Sequence, residues 1–125
     1  MGRNIFGNVA LMACYNEGDD YADQSVAYMN ETRDQLLKYF EENIPQIHAI
    51  KPEATFMVWL DCRDLGFKTQ QELKDFMFKK AKILLNDGTT FGQKEGFGFM
   101  RFNFAAPRAL VMEGAKRIKE AVEQL

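Results

Sequence analysis

The chain has 125 residues, 46% of them hydrophobic and 27% charged, a length and balance that suit one globular domain with a real core. Its formal net charge of −2 argues against a nucleic-acid binder, which needs a concentrated basic surface. No stretch approaches the roughly 20 apolar residues of a membrane span, and the start Met1-Gly2-Arg3-Asn4 does not read as a signal peptide, so the cytoplasm is the expected location.

In chain order, residues 5–15 form a short apolar segment rich in helix formers, closed by Asn16, Glu17 and Gly18, with Gly18 as the expected cap. Asp19, Asp20 and Asp23 crowd the start of a second helix, where the positive dipole end favours carboxylates. That helix is expected to run to about Asn43, with Val26, Met29, Leu36, Leu37, Phe40 and Ile44 as its buried stripe and Arg33 laying its stem over the seam. Pro45 ends it. Residues 47–50 are a short strand candidate. Phe56, Val58 and Leu60 then alternate with Met57, Trp59 and Asp61, a strand apolar on both sides.

Thr69 followed by Glu72 forms a capping box for a third helix carrying Leu73, Phe76, Met77 and Ala81. Residues 83–85 read as extended, and Asn86, Asp87 and Gly88 as a turn. After a glycine-bearing loop over residues 92–98 comes a strand, 99–104. Pro107 suits the first turn of a last helix, whose expected stripe is Leu110, Val111, Gly114, Ile118, Ala121, Val122 and Leu125. The order is α+β: a small, mostly antiparallel sheet with helices packed on it.

Few residues point to chemistry. Cys14 and Cys62 form no CxxC pair for zinc, and both lie in apolar stretches where a reduced, buried thiol is expected. The loop at 92–98 lacks the following helix that a phosphate cradle needs, so it reads as a flexible connection. His48 has no partner at a recognisable spacing, and Glu53, Asp61, Asp64 and Glu95 form no readable acid–base pair. Arg101 is different, because it stands in the middle of an apolar strand. It shares one face with Phe99 and Asn103, while Met100, Phe102 and Phe104 share the other. Burying a guanidinium costs several kcal/mol unless an anion meets it. Arg101 therefore either reaches water at the sheet edge or waits for a carboxylate.

These residues also carry a resemblance. FMRFNFAAPR at 99–108 resembles the strand "hxRhNhxxPR" that precedes the last helix of fold-type-I pyridoxal-phosphate enzymes. KPEATFMVWLDCR at 51–63 is similar to the "KPEGTYLxWLDCR" segment of one branch, the cystathionine β-lyases of the maltose-regulon-modulator type within the class I/II aminotransferase family. Phe91 and Gly92 match its "FG" loop, and residues 4–18 resemble its first helix. Ala54 and Ala106 replace the usual glycine and cysteine, both mild size changes.

The resemblance implies the C-terminal small domain of such an enzyme. Residues 1–18 would lead from a missing large domain, and 19–125 would be the small domain itself. Arg101 would bind the substrate's α-carboxylate, with Asn103 bracing it, and Arg108 would have a structural role at the helix start. The cofactor lysine, the aspartate facing the pyridinium nitrogen and the tyrosine near the ring would lie upstream. The chain alone is then expected to hold no cofactor or metal and to be inactive. The parent would be a homodimer using pyridoxal 5′-phosphate for carbon–sulfur β-elimination on cystathionine or cysteine, or for transamination. The isolated chain, with apolar faces exposed by the cut, would self-associate. A reading from another class is a free-standing α+β interaction module.

Overall fold

The computed structural model describes residues 4–125. The chain divides into two compact units, one reaching Glu31 and the other Thr32–Leu125.

In the first unit, helix α1 (Ile5–Glu17) starts at Asn4, whose Oδ1 accepts the Gly7 N–H at 2.7 Å. It ends at Gly18, whose N–H donates to the Cys14 carbonyl at 2.9 Å. A Cβ on Gly18 would stand 2.3 Å from that carbonyl oxygen, so the tight junction into helix α2 (Asp19–Asn43) requires glycine. Asp19 and Asp20 occupy the first turn of α2, where unpaired N–H groups attract carboxylates. No residue of α1 is buried. Ile5, Phe6, Val9, Met12 and Tyr15 are all exposed, and Cys14 is a free, exposed thiol rather than the buried one expected. Val26 is likewise exposed.

The second unit holds the core. Thr32, Leu36, Phe40 and Ile44 recur every four residues and are completely buried. The strands β1 (His48–Ile50), β2 (Met57–Asp61), β3 (Asn86–Asp87) and β4 (Phe99–Asn103) make an antiparallel sheet in the order β1-β2-β4-β3. Val58 pairs with Phe102 and Leu60 with Met100 on the core face. Trp59 pairs with Arg101 on the other face, which is only half-buried. The α+β class and antiparallel sheet agree with the pattern of residues.

Helix α3 (Gln70–Asp75) carries the complete Thr69–Glu72 capping box, then widens into a π-helical turn, Phe76–Lys80. Residues 83–85 join no strand. Asn86 and Asp87, expected as a turn, are instead the strand β3 on the edge of the sheet. Two residues are too few to show a period, while their turn chemistry dominates the local signal. Helix α4 (Arg108–Val122) follows Pro107 and buries Val111, Gly114, Ala115, Ile118 and Ala121. Leu110 and Leu125, expected in that stripe, are exposed. Gly114 lets Phe102 and Ile83 approach the helix, since a Cβ there would stand 2.9 Å from Ile83 Cδ1.

Candidate functional site

The alternation of β4 decides which side chains leave the core. Met100 and Phe102 point inward, so Arg101 must point to the open face, between Trp59 of β2 and Asn86 of β3. Its guanidinium carbon stands 4.3 Å from the centroid of the Phe91 ring, within cation–π range. Nη2 donates to Asn86 Oδ1 at 3.2 Å. Trp59 meets Phe91 edge-on at 5.5 Å and Phe99 at 6.5 Å, so three aromatic rings form a wall beside the arginine. A hollow of about 430 Å³ runs along this wall, lined by Ile50, Trp59, Phe91, Glu95, Phe99 and the glycines of the loop, without Arg101 itself.

One atom stands out. The Nε of Arg101 is buried and has no hydrogen-bond partner among the described residues. A buried donor left unpaired costs about 1–3 kcal/mol, so such a group marks a place for a water, an ion or a ligand. Nε and the terminal nitrogen beside it form a planar fork that matches the two oxygens of a carboxylate. This arrangement has the donor geometry to accept a planar anion, with the Phe91 ring already under the guanidinium.

The other residues singled out in the sequence lie elsewhere. Asn103 gives its Oδ1 to the Ala105 N–H at 2.8 Å, fixing the exit from β4, while Asn86 touches the guanidinium. Arg108 Nε donates to the buried Thr32 Oγ1 at 3.1 Å, joining the start of α4 to α2. His48 meets Asp64 at 3.0 Å on an exposed surface. Asp61 receives the fork of Arg63 at 2.8 and 2.6 Å, and those bonds hold its carboxyl below its usual value. Neither pair was readable from spacing. Burial pushes the Cys62 thiol far up, so it stays protonated. Among the described residues no group of three or more His, Cys, Asp or Glu could hold a metal ion, and no helix is long and apolar enough to cross a membrane.

Asn86 escaped sequence reading because its neighbour Gly88 made the segment look like a turn. Phe91 was noted only as part of a loop motif. Its stacking under Arg101 depends on the loop folding back, for which the paired glycines Gly88 and Gly96 were the available signal.

No family model matches the chain. Cystathionine β-lyase PatB of Bacillus subtilis is 32% identical over 97% of this chain and 31% of its own length. A cystathionine β-lyase of Corynebacterium glutamicum is 33% identical over 94% of the chain and 30% of its own length. Cystalysin of Treponema denticola, solved with a pyridoxal 5′-phosphate cofactor, superposes with a TM-score of 0.93 at 31% identity, over 99% of this chain and 31% of the cystalysin chain. Aminotransferases are also among the relatives. The chain spans about 30% of the length of the curated relatives it matches.

Proposed function

We propose, because the chain belongs to the pyridoxal-phosphate-dependent family of cystathionine β-lyases and class I/II aminotransferases, that it is the C-terminal small domain of a carbon–sulfur β-lyase and supplies the grip on the substrate's α-carboxylate. The observation that carries the reading is the buried Nε of Arg101, unpartnered among the described residues, with the guanidinium stacked on Phe91 beside the aromatic wall. Two parallel charge-assisted hydrogen bonds from Arg101 would fix the amino acid's orientation, and holding a reacting bond in place lowers the barrier to its cleavage. Asn86 and Phe91 hold the guanidinium, in the bracing place expected of Asn103, whose Oδ1 instead accepts from the Ala105 N–H beyond β4.

The residues present fit the substrate better than the cofactor. Among the described residues no lysine lines the hollow along the aromatic wall, and Lys74 is engaged by Asp87 at 3.1 Å. We assign the cofactor lysine to a larger domain of the same protein, from which residues 1–18 would lead into the small domain at 19–125. Pyridoxal phosphate, when bound there, supplies the electron sink for elimination of ammonia, pyruvate and a thiol from cystathionine or cysteine. The parent is proposed to be a homodimer. The same grip serves transamination, and the aminotransferases among the relatives keep that as the second reading.

The test uses the complete protein that carries this chain. Pyruvate release from cystathionine supports the lyase, and amino transfer to a keto acid without pyruvate release supports the aminotransferase. Replacing Arg101 by Ala is expected to weaken substrate binding by about 2–4 kcal/mol, the scale of a lost charged pair. Unchanged steady-state constants would remove Arg101 from the site. The 125-residue chain alone, incubated with pyridoxal phosphate, is expected to retain none. Stoichiometric, borohydride-reducible cofactor on one of its lysines would contradict the assignment.

A further inference from the structure

We infer that Gln70 is the positioning residue of the Arg101 grip, clamping the base of the loop that brings Asn86 and Phe91 against the guanidinium. The inference rests on the reading of Arg101 as a carboxylate grip. It begins at the capping box. Thr69 Oγ1 accepts the Glu72 N–H at 3.2 Å and Glu72 Oε2 accepts the Thr69 N–H at 3.1 Å. This locks the first turn of α3 and directs the next side chain, Gln70, inward.

The Gln70 carboxamide then reaches both ends of the loop. Nε2 donates to Asp87 Oδ1 at 2.9 Å and to the Phe99 carbonyl at 3.1 Å. Oε1 accepts the Gly98 N–H at 2.8 Å. Asp87 adjoins Asn86, and Phe99 lies two residues before Arg101 on the same face of β4. The β3–β4 pairing already places Asn86 opposite Arg101, and the Gln70 amide ties that short ladder together at the point where the loop leaves it. Asp87 is itself held: Thr89 donates to Oδ1 from N–H at 2.9 Å and from Oγ1 at 2.8 Å, and Lys74 Nζ meets Oδ2 at 3.1 Å. Inside the loop the backbones of Gly88 and Gly96 touch so closely that a Cβ on Gly96 would stand 2.1 Å from the Gly88 carbonyl oxygen. The loop is thus closed twice, by backbone at its waist and by Gln70 at its base. Phe91 lies in the loop beyond the waist, where its N–H bonds the Gly88 carbonyl at 2.9 Å and its ring meets Trp59, so its place over the guanidinium depends on both closures. Gln70 does not line the hollow and, among the described residues, makes no hydrogen bond to Arg101, so it acts through the loop base and the backbone of Phe99.

The test reads Arg101 directly. In this chain the Nε–Hε resonance of Arg101 is assigned by its disappearance in Arg101→Lys. In Gln70→Leu, exchange of the Gly98 amide is expected to quicken by about tenfold or more, and the Arg101 resonance to move toward that of a solvated arginine. The amides of α4 and of Val58 and Leu60 should keep their shifts. A folded Gln70→Leu chain with an unmoved Arg101 resonance overturns the inference. Should Gln70→Leu fail to fold, Asp87→Asn, which keeps the volume, must move the same resonance in the same direction, and an unmoved one overturns it equally. In the complete protein, Gln70→Leu should raise KM for the amino-acid substrate about fivefold to tenfold with a smaller change in kcat. If Arg101→Lys leaves KM unchanged, the carboxylate-grip reading itself fails. If Arg101→Lys raises KM while Gln70→Leu does not, only the role of Gln70 fails.

Discussion

The two faces of β4 are made of alternate residues of one five-residue strand, yet they obey different rules. Met100 and Phe102 are almost wholly buried and meet α4 and the inward side of β2. Phe99, Arg101 and Asn103 face outward, where an arginine rests on an aromatic ring with one N–H unsatisfied. The inner face is complete as it stands. The outer face carries a polar group whose hydrogen-bonding capacity exceeds what the surrounding residues supply. The contrast teaches that a strand can carry a closed core face and an unsatisfied polar face at the same height in the sheet, because alternation keeps the two from sharing atoms.

If that separation holds, substitutions on the two faces must fail in different ways. The largest effect is expected inside. Phe102→Ala removes a buried ring from against Gly114 and Val58, and should destabilise the second unit by about 3–5 kcal/mol in a urea titration followed by tryptophan fluorescence. A loss under about 1 kcal/mol would mean that the inner face is not the core it looks like. Outside, Arg101→Met should behave oppositely. It keeps the length of the stem over Phe91 and removes the unpaired donor, so stability should change by no more than about 1 kcal/mol, with stabilisation the expected direction. A large destabilisation would show that the Asn86 contact and the stacking outweigh the orphaned N–H. The face would then be structural first.

The same contrast explains how far the sequence could be read. Patterns that repeat were legible: the stripe through Leu36, Phe40 and Ile44, the alternation of β2 and β4, the Thr69–Glu72 box, Pro45 and Pro107 as boundaries, while the buried Thr32 was not. Each is a local rule with one physical cause. Arg101 was legible as an anomaly because it breaks such a pattern. Its supports were not, since Asn86 and Phe91 lie 15 and 10 residues upstream and reach it only after the loop closes. A carboxamide that bridges 28 residues, as Gln70 does to Gly98, leaves no mark on spacing at all. The exposed apolar residues of α1 illustrate the reverse limit. An apolar segment predicts a helix, but composition does not say what the helix faces.

The smallest expected effect sharpens the outer face further, and it concerns acid. Burial alone would push the Asp87 carboxyl up, but the hydrogen bonds from Thr89, Lys74 and Gln70 outweigh it and leave the group below its ordinary value of 3.8. A carboxyl whose folded value is depressed contributes stability that is present above its unfolded value and lost as pH falls through the folded one. Acidification below about pH 4 should therefore loosen the loop base before the core yields. Asp61 and Asp75 are depressed as well, so the comparison that isolates Asp87 is the difference between the wild-type chain and Asp87→Asn. That difference is expected to stay under about 1 kcal/mol at neutral pH, because Lys74 is partly exposed and screened, and to shrink as the pH drops. The Gly98 amide should report the same loss by faster exchange, while amides of the inner face keep their protection. Equal loss of protection on both faces of β4 would mean that acid acts on the whole sheet, and that the loop base has no separate electrostatic hold.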